Sequence, residues 1–306
     1  MKKGKLIVLE GIDGCGKTTQ CKRLAAALRE KFPDKTIWET REPTDGPIGR
    51  LIREEYLSGK RKCPEGIINI LYLADRYEHI FGANGILHHL AQGDIVICDR
   101  FYYSSFVYST YESIPELNTP DQEWETAFLE SINKNQEFLE AVVPDLLVYL
   151  DLPTELAMER IDSSAREGTE IYETTSKLNL INHTYQYVVE YFNGSVHNEF
   201  LNAALDLGIK REWMTRLAYI DGTKDIDTIA ANILQFTLPI VGETPFVPYK
   251  MVFNPNPWVV KKIYRAIWEN DGYCPSRSER IPENRCPCND FYQGFCSCNL
   301  FQQAKE

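Results

Sequence analysis

The sequence predicts an α/β fold, a three-layer arrangement of a parallel sheet with helices on both faces. A small cysteine-rich, mostly α metal-binding domain follows it at the C-terminal end. Three observations carry this expectation. Short apolar runs of strand length alternate with longer helical stretches, the pattern of a parallel sheet buried on both faces. A glycine-rich loop, EGIDGCGKTTQ, follows the first apolar run and opens a helix. Five of the nine cysteines crowd into residues 274–298, behind a stretch broken by prolines.

The elements follow in order. Residues 5–9 read as the first strand, and 16–31 as a helix with Leu24, Ala27 and Leu28 on one face. TIWETREP is a second strand ending at Pro43, and helices are expected over 47–57 and 65–91. DIVICD, DLLVYLDLP and LAYIDG are the later strands. Polar stretches at about 109–126 and 193–216 read as insertions, and no internal repeat is visible. Pro239, Pro245, Pro248, Pro255 and Pro257 then mark a linker. The expected division is therefore 1–236, a linker at 237–251, and a C-terminal domain over 252–306 that opens with the amphipathic helix WVVKKIYRAIWEN.

With 306 residues, 43% of them hydrophobic and 25% charged, the chain suits one large globular domain plus an appendage. A net charge of −11 argues against polymeric nucleic acid as a partner. No run reaches the roughly 18 apolar residues that cross a bilayer. The apolar run Leu6–Leu9 is too short for a signal-peptide core, so the expected location is cytoplasmic and the thiols reduced. Cys15, Cys21, Cys63 and Cys98 then read as small packing residues. Cys274, Cys286, Cys288, Cys296 and Cys298 read as a metal-binding cluster.

The segment from Gly11 to Thr18 matches G-x-x-x-x-G-K-S/T in full, between a strand and a helix. In such a P-loop, backbone N–H groups close around phosphate oxygens, and the helix N-terminus adds partial positive charge. Gly11, Asp13, Gly14, Cys15, Gly16 and Thr19 are the expected nucleotide-binding loop residues, with Lys17 reaching the outer phosphates from an exposed loop. Thr18 offers its hydroxyl to Mg²⁺. The motif alone does not separate a kinase from a nucleotide switch.

Further motifs do. TREPTDGPIGRLIRE (40–54), LYLADRYEH (71–79), CDRFYYSSFVY (98–108) and IDGTKDID follow the loop in the order found in thymidylate kinases. Over about residues 5–236 the chain resembles that family of P-loop nucleoside monophosphate kinases. The resemblance implies phosphoryl transfer from ATP to dTMP, with Mg²⁺, in a homodimer. It places Arg41, Arg53 and Arg76 on the acceptor phosphate and Tyr72 against the thymine. It puts Asp99 with Thr18 at the Mg²⁺ site, Arg100 between donor and acceptor phosphates, and Asp13 on the sugar 3′-hydroxyl. Ser104 and Ser105 fall on the substrate side, in the family's SSxAY motif. In the lid, ERIDSSAREGTEIYETT, Arg160 or Arg166 would close over the transferring group, and Tyr172 with Glu173 would crowd the sugar 2′ position. Two departures stand out. Ile171 occupies a position where arginine is usual, and Ser109 stands where a glutamine commonly bonds the base, which leaves dUMP and dCMP open as alternative acceptors. No protein base is needed, because the attacking phosphate oxygen is already ionised.

About 50 residues after the linker cannot bury enough apolar surface to fold alone, and thiolate-bound metal would supply the missing free energy. The CPC and CSC motifs, with Cys274 upstream and the CxCxLF ending, resemble the catalytic subunit of ferredoxin–thioredoxin reductase over about 252–303. That resemblance implies Cys274, Cys286, Cys288 and Cys296 as ligands of a 4Fe–4S cluster, with zinc as the alternative. The redox disulfide of that family maps to Cys298 and Ser276, so the second thiol is missing. A redox partner protein follows from the same resemblance. For the whole chain two classes compete: a nucleotide kinase carrying a metal module, and a redox or regulatory protein with a P-loop switch. The arginine set favours the kinase, since a switch needs no acceptor-phosphate site.

Overall fold

A computed structural model describes residues 4–62, 66–113, 122–163, 174–194, 205, 207–242, 251–253 and 301–303. Five strands form one sheet in the order β2-β3-β1-β4-β5: β1 (Lys5–Glu10), β2 (Ile37–Arg41), β3 (Ile95–Asp99), β4 (Leu146–Asp151) and β5 (Leu217–Asp221). β1 lies parallel to both β3 and β4, with Leu9 opposite Asp99 and Glu10 opposite Tyr149. β3 is buried along its whole length, and β1 and β4 all but one residue each, as a sheet covered on both faces requires. The chain leaves β1 for the β2 edge, returns through β3, then passes over β1 to β4. That reversal opens a crevice at the carboxyl ends of β1 and β3, where α/β sheets bind ligands.

Helix α1 (Lys17–Lys31) packs behind the P-loop, burying Cys21, Leu24 and Leu28; Ala27, expected on the same face, is only partly covered. α2 (Pro47–Leu51) runs into a π-helical turn over Ile52–Leu57. The long helix expected over 65–91 is two helices, α3 (Ile67–Phe81) and α4 (Ile86–Gln92). Gly82 ends α3 in extended backbone, and a Cβ there would stand 2.4 Å from the Glu78 carbonyl oxygen, so the apolar pattern continues where the helix cannot. α5 (Tyr102–Ser113) extends into the stretch read as a polar insertion, and α6 (Gln122–Lys134) and α7 (Gln136–Ala141) follow. After β4 come α8 (Thr154–Asp162) and α9 (Thr175–Tyr191), neither of them resolved as a helix from the sequence.

The last helix of this unit, α10 (Ile226–Val241), runs through Pro239 into residues read from the sequence as linker. Pro239 has no N–H to give the Gln235 carbonyl, and the helix ends two residues later. Lys35 Nζ donates to the Val241 carbonyl at 2.9 Å and satisfies one of the end groups. Among the described residues no helix is long and apolar enough to cross a membrane.

The chain divides into two compact units, Met1–Ala218 with Gly222–Val241, and Tyr219–Asp221 with Gly242–Glu306. In the second, β6 (Met251–Phe253) and β7 (Phe301–Gln303) pair antiparallel, Phe253 opposite Phe301. Cys274, Cys286, Cys288, Cys296, Cys298 and the helix expected over 258–270 lie outside the described residues. Cys15, Cys21 and Cys98 are buried free thiols, as packing residues should be.

Candidate active site

The P-loop owes its shape to glycines. Gly14 has φ of 80°, and a Cβ there would meet the Ala157 carbonyl oxygen at 2.4 Å. Gly16, with φ of 98°, turns the chain into α1. Lys17 is the first residue of that helix and is not exposed, as the sequence suggested, but only 6% accessible. Its ammonium donates back to the carbonyls of Gly11 at 3.0 Å and Ile12 at 2.8 Å, so the loop is wrapped around its own cation. Beside it Thr18 Oγ1 donates to Asp99 Oδ2 at 2.5 Å. A hydroxyl and a carboxylate that converge at the edge of one cavity are hard oxygen donors of the kind Mg²⁺ takes alongside water and phosphate. The residues therefore fit that ion.

β3 ends at Asp99, and Arg100 follows with φ of 70°, a left-handed conformation uncommon for a residue with a side chain. The guanidinium is fixed from several sides. It donates to Asp13 Oδ1 at 2.5 Å, Tyr185 OH at 2.8 Å and Ser104 Oγ at 3.2 Å, and lies over the Tyr108 ring. A carboxylate inside a phosphate loop thus already has a cation to face. Behind this cluster sits Glu10, the last residue of β1, fully buried. Its Oε1 accepts from the backbone N–H groups of Phe101 and Ser104, at 2.7 and 3.2 Å. Its Oε2 accepts from Ser104 Oγ at 2.8 Å and Tyr185 OH at 3.0 Å. Burial pushes the Glu10 carboxyl above its ordinary value, and the Arg100 charge and these hydrogen bonds offset that only in part.

The opposite wall starts at the end of β2. Arg41 and Arg53 both hold Asp45, Arg41 Nε at 3.1 Å and Arg53 NH2 at 2.9 Å, and Arg53 also bonds the Pro43 carbonyl. Arg76 is different. Its side chain is 1% exposed, and it pairs with Glu42 through Nε at 2.8 Å and NH2 at 2.5 Å. Its NH1 donates to Ser105 Oγ at 2.8 Å and Asn135 Oδ1 at 2.7 Å. His79 Nδ1 stands 3.1 Å from the other Glu42 oxygen. Burial opposes ionisation of Glu42, but the Arg76 charge and the His79 contact outweigh it and hold the carboxyl below its ordinary value. Arg76 is therefore neither the surface charge that a bare pattern suggests nor a free cation for a phosphate: its charge is already balanced.

These walls enclose one cavity of about 540 Å³. Asp13, Gly14, Gly16, Lys17, Thr18 and Thr19 line it on the P-loop side. Arg41, Arg53, Tyr72, Arg76 and Ser105 line the other, with Asp99, Arg100 and Ser104 between. Arg160 reaches it from α8 and donates to the Gly222 carbonyl at 2.9 Å. Gly11 and Cys15 lie beneath the loop and do not line the cavity; a Cβ on Gly11 would touch the Leu150 carbonyl oxygen at 2.7 Å, and Cys15 is 1% exposed. Arg166 and Tyr172 lie outside the described residues. Sequence reasoning missed Glu10, Glu42, Asn69, Tyr108, Glu112 and Tyr185. Two signals were present: a carboxylate closing the apolar run before Gly11, and another before Pro43. Tyr185 carried none.

The sequence model of the thymidylate kinase family matches residues 9–203. A probable thymidylate kinase of Methanococcus maripaludis is 38% identical over 218 residues, 66% of this chain and 96% of that protein. One from Thermococcus kodakarensis is 32% identical over 249 residues, 78% of this chain and 98% of that one. A solved thymidylate kinase structure from Candida albicans shares the fold, with a TM-score of 0.53 at 21% identity over 77% of this chain and 91% of that chain. With the family match spanning residues 9–203 of 306, this chain belongs to the thymidylate kinase family.

Proposed function

We propose that the chain transfers the γ-phosphoryl group of ATP to dTMP, giving dTDP. The observation that carries this reading is the joining of two anion-binding walls, P-loop and arginine wall, in one cavity with Arg100 between them. A nucleotide switch has no use for the second wall. Catalysis here is alignment and charge neutralisation. The acceptor phosphate oxygen attacks the γ-phosphorus, and the bond to the β–γ bridging oxygen breaks. Lys17 and Arg100 offset charge on the transferring group, and Arg160 adds to it from α8. Thr18 and Asp99 would hold Mg²⁺, which would supply neutralisation of donor phosphate charge. Because Arg76 is already neutralised by Glu42, the acceptor phosphate falls to Arg41, Arg53 and Arg100. The pairing of Arg41 and Arg53 with Asp45, whose carboxylate is exposed, is weak enough for a phosphate to replace. Asp13 and Ser105 complete the sugar side, and Tyr72 the stacking surface. A coupled assay with ATP and dTMP, dUMP or dCMP tests the reading; no turnover on any of the three ends it.

The same reading includes a homodimer, supported by the apolar residues that α3 leaves exposed, Ile70 at 66%, Tyr77 at 50% and Phe81 at 36%. Sedimentation of the full chain checks this, with a monomer at micromolar concentration counting against it. For the tail, cysteine spacing alone supports a 4Fe–4S cluster on Cys274, Cys286, Cys288 and Cys296, a platform for docking or for sensing oxygen or iron rather than for reducing a disulfide, since Ser276 leaves Cys298 without a mate. Iron and zinc content of the anaerobically purified chain separates the two metals.

A further inference from the structure

Arg100 stands between the two walls, and the groups that hold it are unequal. Asp13 accepts from NH2 at 2.5 Å, but it belongs to the P-loop and lines the cavity, where a phosphate oxygen would compete with it for the same cation. Ser104 Oγ, at 3.2 Å, is the long contact. Tyr185 OH, at 2.8 Å, is short and neutral; its residue is fully buried and is not among those that line the cavity.

The direction of these bonds follows from the proton count. An arginine has N–H donors and no acceptor, so the phenol oxygen must accept from Arg100. Its own proton then goes to Glu10 Oε2, 3.0 Å away. Ser104 Oγ, 2.8 Å from the phenol oxygen, donates to the same carboxyl oxygen at 2.8 Å. A hydroxyl that donates into such a network is polarised and accepts more strongly in turn. Tyr185 thus ties Arg100 without placing a charge against it. The phenol is itself fixed by the core rather than by the loop. Its ring packs on Tyr149 of β4, with 5.9 Å between centroids and 28° between planes, and meets the Tyr108 ring of α5 edge-on at 6.4 Å. Arg100 is therefore aimed from both ends, by left-handed backbone with φ of 70° and by a hydroxyl braced between β1, β4 and α9.

Building on the proposed kinase reading, we propose that Tyr185 is a positioning residue for phosphoryl transfer: its hydroxyl, oriented by Glu10, holds the Arg100 guanidinium on the line between donor and acceptor phosphates. Tyr185 acts through Arg100 alone.

Steady-state kinetics of the full chain with ATP and dTMP tests this, with Tyr185→Phe placed in the unmodified chain and in an Arg100→Ala background. The substitution keeps the ring and its packing and removes only the oxygen. In the unmodified chain it should lower kcat about tenfold, one hydrogen bond's worth of alignment, while KM for ATP and for dTMP stays within about threefold. In the Arg100→Ala background it should change the remaining kcat by no more than about twofold, because the group it aims is gone. A kcat unmoved in Tyr185→Phe, with only the melting temperature lowered, makes the hydroxyl structural and overturns the assignment. So does a loss of the same factor in both backgrounds, which would mean that Tyr185 acts by another route; either result leaves the kinase reading standing. If the unmodified chain turns over no monophosphate, the kinase reading falls and takes this one with it. Should Tyr185→Phe not fold, Glu10→Gln decides instead. It removes the carboxyl oxygen that takes the phenol proton, so kcat should fall about threefold or more in the unmodified chain and by no more than about twofold in the Arg100→Ala background; an unchanged kcat overturns the assignment.

Discussion

Glu10 and Glu42 are both buried carboxylates just where a strand hands over to the site, one on the P-loop wall and one on the arginine wall, yet their surroundings shift them in opposite directions. Glu10 is held by neutral donors, two backbone N–H groups and two hydroxyls, with Arg100 acting from behind them. Glu42 has a guanidinium in direct contact. Burial alone raises a carboxyl; contact with a cation of equal burial reverses the sign. The difference sorts the two by task. Glu10 organises hydroxyls that hold Arg100, whose charge faces Asp13 at the cavity. Glu42 cancels Arg76 and turns it from an anion site into a neutral floor.

Removing the cation should break the contrast most severely. Arg76→Ala leaves Glu42 buried without its partner and should cost about 3–5 kcal/mol. Urea unfolding measures this, and adding Glu42→Gln should restore part of the loss; a single variant within about 1 kcal/mol of the parent would mean that the pair is not what fixes Glu42.

Lys17→Ala probes the P-loop wall by rate. It should lower kcat about 100-fold, near 2.7 kcal/mol, with little change in KM for dTMP. Its ammonium also ties the Gly11 and Ile12 carbonyls, so a small drop in melting temperature should accompany the loss. An unchanged kcat would remove the loop from the chemistry.

Glu10→Gln sharpens the comparison from the other side. The amide oxygen can still accept from Phe101 and Ser104, while its NH₂ turns to the hydroxyl oxygens of Ser104 and Tyr185. About 1–2 kcal/mol of stability should go, well short of the Arg76 variant. A loss equal to that variant's would show that Glu10 is held as an ion just as firmly as Glu42.

The smallest signal is in pH. Glu42 is lowered from about 4.5, so its contribution is complete above that value and disappears as pH falls through the lowered one. Glu10 is raised from 4.5, so ionising it costs stability, and the parent regains that on acidification through the raised value. The stability gap between the parent and Glu42→Gln should therefore shrink below pH 4.5. The parent should gain relative to Glu10→Gln in the window above that, as pH falls from the raised value to 4.5. Gaps that move together would contradict the opposite shifts.

What the sequence made legible was local. Gly14, Gly16, Lys17 and Thr18 act as neighbours in the chain, and their spacing is the chemistry. β1, β3 and β4 announced themselves because each is buried on both faces and so reads as a continuous apolar run. What stayed hidden depends on distant partners. Arg76 looks the same in the sequence whether it is free or neutralised; only the 34-residue reach to Glu42 decides. The break between α3 and α4 lies in the close approach of Gly82 to Glu78, which the apolar pattern does not register. Asn69 and Glu112, 43 residues apart, become a pair only when α3 and α5 pack.

The bond from Tyr185 to Glu10 closes the P-loop wall across 175 residues of chain. On a ribosome adding about 5–20 residues per second, Glu10 waits roughly 10–35 seconds for that hydroxyl. Throughout that interval β1 and the P-loop can be made, but Arg100 lacks one of its anchors. The nascent chain therefore holds the recognisable motif long before it holds a fixed arginine, and any chain released before α9 is complete would carry the signature without the finished site.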